Sequence, residues 1–130
     1  MTTTANGTFD VKIAPLDLHF DAGDKLGRLS IDKTFHGDLE ATSQGEMLTA
    51  GTDVKGSAVY VAIERVTGTL NGKKGSFILH HRGIMNRGEA ELVVKIVPDS
   101  GTGELEGISG EMKIRIEEGK HFYDFEYALQ

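Results

Sequence analysis

Apolar and polar residues alternate with a period of two along most of the chain. Met112, Ile114 and Ile116 are interleaved with Glu111, Lys113, Arg115 and Glu117, and Leu92, Val94 and Ile96 with Glu91 and Lys95. Successive side chains of a strand point to opposite faces, so this pattern predicts strands with one buried and one wet face. Phe77-Ile78-Leu79 and Ala58-Val59-Tyr60-Val61-Ala62-Ile63 are denser apolar runs, rich in the β-branched and aromatic residues that favour strands. Further strands are expected at 8–18, 28–35, 38–43 and 122–129. No stretch carries a helical pattern, and glycine every few residues would interrupt one.

A weak internal repeat orders these strands. Gly68-Thr-Leu70-Asn-Gly72-Lys-Lys-Gly75-Ser-Phe77 resembles Gly103-Glu-Leu105-Glu-Gly107-Ile-Ser-Gly110-Glu-Met112, and a looser copy runs from Gly37 to Met47. Each copy reads as a strand end, a tight glycine turn and the next strand. Hairpins in series predict an all-β protein, a closed antiparallel β-barrel of about eight strands, which leaves no exposed edge. An open sandwich built from similar hairpins is the alternative, although no segment resembles a Greek-key crossover. The whole chain, 1–130, is expected to be one barrel domain, with the polar, threonine-rich residues 1–7 as a flexible N-terminus.

Length and composition narrow the chemistry. A chain of 130 residues builds one core, and 38% apolar residues argue against disorder. Lysine plus arginine total 14 against 20 aspartate plus glutamate, a net charge of −6 that argues against nucleic acid as a partner. Without cysteine there are no disulfides, thiolate nucleophiles or Cys-type zinc sites. Met1–Gly7 lacks the basic start and apolar run of a signal peptide, and no stretch approaches the roughly 18 apolar residues of a membrane span. A cytoplasmic protein with no membrane partner is the expectation.

Familiar catalytic motifs fail on inspection. Gly101-Thr-Gly103-Glu-Leu-Glu106-Gly107 places its last glycine one position late for a dinucleotide loop and precedes a strand. Gly51-Thr-Asp-Val-Lys-Gly56-Ser57 has P-loop glycine spacing without the lysine that should follow. No serine sits in a nucleophile elbow. His80 and His81 are adjacent, so on a strand they point to opposite faces and cannot grip one metal. No metal and no cofactor are expected.

The informative residues are polar ones that the alternation sends inward. His81 shares a face with Phe77, Leu79, Gly83 and Met85; it reads as a satisfied core histidine or as an acid/base or ligand hydrogen-bonder. Lys33 falls between Ile31 and Phe35, where burial is costly unless the amine is paired or reaches water. A cation at a cavity mouth, held by an acid such as Glu64, is the functional reading. Glu64 shares a face with Tyr60 and Ala62, as a rim salt bridge or as a carboxyl whose pKa is raised by a desolvated cavity. Both faces of this strand are apolar, so alternation does not decide which turns inward. His121, Tyr123, Phe125, Tyr127 and Leu129 form an aromatic row that suits a packed core and a ligand cavity equally.

Three stretches together resemble a bacterial family of unknown function, domain-of-unknown-function family 3224. They are Lys33 to Leu39, Tyr60 to Gly83 and Val97 to Gly110, and the closing His121-Phe-Tyr123-Asp-Phe-Glu-Tyr127 also fits. The resemblance spans nearly the whole chain. It implies a barrel similar to allene oxide cyclase and dirigent proteins, which hold small hydrophobic molecules and often form oligomers. No allene oxide cyclase catalytic motif can be transferred residue by residue, and likeness of fold is a weak guide to function.

Three functions compete. The first is a barrel that binds a small hydrophobic or aromatic ligand, with Lys33, Tyr60, Phe77, His121, Tyr123 and Tyr127 as candidate ligand-binding residues beside His81 and Glu64. The second is an isomerase or cyclase-like enzyme with His81 and Glu64 as catalytic acid and base and Tyr60 or Tyr123 stabilising an oxyanion. The third is a structural or interaction module with a filled interior; a barrel of about eight strands permits either. The doubly apolar Ala58–Val66 strand predicts a homodimer or higher homo-oligomer through an outer sheet face.

Overall fold

The two-residue alternation becomes a ring of strands in the computed structural model, which describes residues 2–130. The strands are β1 (Thr3–Leu16), β2 (Leu26–Gly37), β3 (Leu39–Gly51), β4 (Ala58–Leu70), β5 (Lys73–Asn86), β6 (Glu89–Ile96), β7 (Thr102–Gly103), β8 (Ser109–Glu117) and β9 (Lys120–Ala128). Every pairing is antiparallel. β4 pairs with β5 and β1 with β9, so eight strands close into a barrel. The two-residue β7 extends β5 at Gly75 and Ser76, beyond the point where β6 stops pairing. No helix occurs among the described residues.

The turns explain the meander. Asn71-Gly72, Arg87-Gly88 and Glu118-Gly119 each place both residues at positive φ, from 47° to 93°. This is the type I′ geometry, whose twist matches that of the flanking strands. Only one copy of the internal repeat is the hairpin it predicts, the one turning at Asn71-Gly72. In the copy beginning at Gly37 the turn comes first, and 39–51 then runs as one strand. In the copy beginning at Gly103 the first two glycines, Gly103 and Gly107, lie in 97–108, which joins β6 to β8 through consecutive turns.

The barrel has two unlike ends. Segment 97–108 sends Leu105 and Ile108 into the core, where Ala5, Leu39, Leu70, Phe77, Phe125 and Tyr127 also pack. At the other end lie loops 17–25 and 52–57 and the turns at 87–88 and 118–119. The N-terminal expectation needs correction. β1 starts at Thr3 rather than Thr8, and Thr3–Phe9 pairs in register with β9. Ala5 is fully buried there, and Gly7 leaves space for the Tyr123 hydroxyl, 2.5 Å from where a Cβ would stand. Residues 3–7 are therefore paired strand and not a loose tail; Met1 lies outside the described residues.

Candidate functional site

Register gathers four polar side chains on one arc of the inner wall. Lys33 on β2 stands opposite Ser43 on β3, and Ala62 on β4 opposite His81 on β5. Even-numbered positions of β4 turn inward, which settles its orientation: Tyr60, Ala62, Glu64 and Val66 face the interior. Glu64 pairs with Gly45, where a Cβ would come within 2.8 Å of the Glu64 Cβ. The glycine thus lets the carboxylate side chain sit flush on the wall.

Lys33, Ser43, Glu64 and His81 are all buried. Lys33 Nζ donates to Glu64 Oε2 at 2.9 Å, and Ser43 Oγ donates to Oε1 at 2.6 Å. His81 Nε2 hydrogen-bonds the same Oε2 that receives the lysine. The ammonium also lies 4.9 Å from the centre of the Phe9 ring and 5.8 Å from that of Phe35, a cation–π setting. Burial pushes the Glu64 carboxyl up. The His81 hydrogen bond and the Lys33 charge outweigh it and hold the group down at about 2. The expectation of a raised pKa at Glu64 is thereby reversed. A carboxyl ionised at neutral pH is an acceptor and not a proton donor.

The ionised carboxylate sets the imidazole. It accepts only, so in neutral His81 the proton sits on Nε2 and Nδ1 carries the lone pair. Among the described residues Nδ1 has no hydrogen-bond partner, and no unpartnered side-chain nitrogen or oxygen is sealed from solvent. Nδ1 therefore keeps some contact with solvent, and His81 lines a cavity of about 190 Å³ at the open end. Its other walls include Phe9, Ile31, Lys33, Met47, Tyr60, Leu92, Ile114 and His121. The Tyr60 ring lies against Gly83, where a Cβ would fall 2.2 Å from a ring carbon, and its centre is 6.3 Å from that of His81. Burial, and then the Glu64 charge, raise the Tyr60 pKa, so this phenol stays protonated. A wider apolar space of about 570 Å³ continues outward, sharing Met47, Tyr60 and Leu92.

The structure brings together Lys33, Tyr60, His81 and His121 at this cavity, with Glu64 behind them. It places Phe77, Tyr123 and Tyr127 elsewhere, in the packed half of the barrel. Phe77 stacks on Phe125 with ring centres 5.6 Å apart. The Tyr123 hydroxyl donates to the His36 carbonyl at 2.9 Å and accepts from the Leu39 amide at 2.9 Å. The Tyr127 hydroxyl accepts from Asn71 Nδ2 at 2.7 Å. These three have structural work, and their aromatic row belongs to the core apart from His121 at its open end. Ser43 escaped the sequence reading. Its signal is an inward position between Ala41 and Gly45, but its contact with Glu64 depends on register. Among the described residues no three His, Cys, Asp or Glu side chains are arranged to hold a metal, and no helix is long and apolar enough to cross a membrane.

Fold and site define a closed antiparallel β-barrel with a buried charge cluster beneath a small open cavity. The family model for a protein of unknown function, DUF3224, matches residues 5–127, and the chain belongs to that family. A crystal structure of a DUF3224 protein of unknown function from Shewanella oneidensis is similar over 100% of this chain and 98% of that one, with 52% sequence identity and a TM-score of 0.95. Among proteins of curated function, none matches the chain.

Proposed function

We propose that the barrel binds a small hydrophobic or aromatic molecule in the cavity at its open end. His81 orients the ligand, with Lys33, Tyr60 and His121 around it. The observation that carries this reading is the His81 ring. Glu64 fixes one nitrogen, and the ring lines a largely apolar hollow. A filled, purely structural barrel gives no reason to retain a buried lysine, glutamate and histidine, which cost desolvation.

The same pairing favours a second reading, an isomerase or cyclase-like enzyme. A carboxylate that orients an imidazole leaves Nδ1 as a general base, and Tyr60, protonated and nearby, would donate to a developing oxyanion. Glu64 is then a positioning residue.

Native mass spectrometry of the purified protein, followed by titration with any molecule retained, tests the site. His81→Ala and Glu64→Gln are each expected to weaken binding at least tenfold. Wild-type affinity in both variants refutes the assignment.

We further propose that copies of the chain associate through the outer face of β3 and β4. Leu48, Val59, Val61 and Ile63 stand outward there, 40–61% exposed.

A further inference from the structure

The polar groups that line the inner cavity include a cation and no anion. Lys33 brings an ammonium, Tyr60 a phenol, and His81 and His121 imidazoles; no carboxylate is among the lining residues. Glu64 is the nearest acid, but its side chain is fully covered and both its oxygens are engaged. A ligand oxygen that needs donors finds them here, whereas a ligand cation finds no counter-charge.

The charges around His81 can be counted. Glu64 and Tyr60 face it from β4, Lys33 from β2 and His121 from β9; β6 and β8 supply apolar Leu92, Val94 and Ile114. Lys33 and Glu64 cancel, so the pocket is balanced while His81 is neutral. One added carboxylate leaves an excess negative charge in a poorly solvated place, which is costly. Lys33 is already charged and Tyr60 already protonated. Of the two imidazoles that can take up a proton, His81 is the one held by Glu64. Protonated at Nδ1, it also gains a hydrogen atom to donate to the ligand. The space sets the size. An engineered cavity of about 150 Å³ accommodates benzene, and this one holds about 190 Å³.

We propose that the cavity selects a single-ring apolar acid, bound as its carboxylate beside His81 and Lys33, and that binding draws one proton from solvent onto His81. This rests on the reading of the open-end cavity as a ligand site. No bond is made or broken in the protein beyond that protonation.

Benzoate, benzyl alcohol and benzylamine share one ring and differ in charge, so calorimetric titration with each at pH 7, in two buffers of unlike ionisation enthalpy, is the test. Benzoate is expected to bind at least tenfold more tightly than benzyl alcohol, with close to one proton taken up per molecule, and benzylamine not to bind. His81→Asn should abolish the proton uptake and the advantage of benzoate over benzyl alcohol. If benzyl alcohol or benzylamine binds as tightly as benzoate, or if benzoate binds without proton uptake, the proposal is overturned and the ligand site stands. If no ring perturbs the Met47 methyl resonance or releases heat, both fall together.

Discussion

Glu64 keeps its charge inside the barrel because three donors converge on two oxygens. Its pKa of about 2 in the folded chain lies below the ordinary 4.5. A depressed carboxyl stabilises the fold above the ordinary value, and that contribution is lost as pH falls from about 4.5 toward 2. At 1.36 kcal/mol per pH unit it amounts to about 3 kcal/mol. Urea unfolding should therefore show stability falling between pH 5 and pH 2 in the wild type, a slope that Glu64→Gln flattens. At pH 7 the same substitution strands Lys33 and should cost about 3–5 kcal/mol. Adding Lys33→Met to it should restore most of the loss, since an apolar replacement of both charges leaves neither unpaired. That Lys33 and His81 turn inward was legible in the sequence, since each is polar at an inward step of an apolar alternation; for Glu64 both faces of the strand are apolar and alternation left its side open. That they form one cluster was not, because the contact needs the register of four strands.

Strand registers also explain which other side chains are free to act. Tyr123 and Tyr127 lie on the inward face of β9, as alternation predicts, yet both hydroxyls are consumed by backbone or side-chain partners at the packed end. Tyr123→Phe leaves the buried Leu39 amide without its acceptor and should cost about 1–3 kcal/mol in denaturant unfolding. Tyr60 differs because β5 offers it a glycine. A methyl group at Gly83 meets the Tyr60 ring carbons at 2.2 and 2.6 Å. Gly83→Ala should push the ring from the cavity wall and destabilise the barrel by about 1–3 kcal/mol. Tyrosine emission reports it directly, since the chain has no tryptophan. Strand existence was readable from period two, and the Asn71-Gly72 hairpin from its residues. The 97–108 connection was not, because its glycines imitate a hairpin while Leu105 and Ile108 are drawn into the core.

Closure of the ring satisfies the strand edges and leaves side-chain chemistry to decide what the outside meets. Ile63, the most exposed of the outward apolar residues on β4 at 61%, stands beside Val61 on the same face. Ile63→Lys with Val61→Thr should convert an associating protein to monomers by light scattering at micromolar concentration, with unfolding little changed because neither side chain enters the core. A wild-type protein that is already monomeric there overturns the association. The barrel class was legible because serial strands and glycine turns with no Greek-key crossover favour closure over the open sandwich that similar hairpins also allow. The apolar outer face was foreseen, but alternation could not choose between the two sides of β4 until Glu64 was found paired within.

Because Leu105 and Ile108 stop one end, the lumen is a blind alley. Whatever diffuses in must back out through the doorway it came by, and a second molecule cannot slip past the first. Any such exchange would pass the loops 17–25 and 52–57 and the hairpin tips at Arg87-Gly88 and Glu118-Gly119, which share that end.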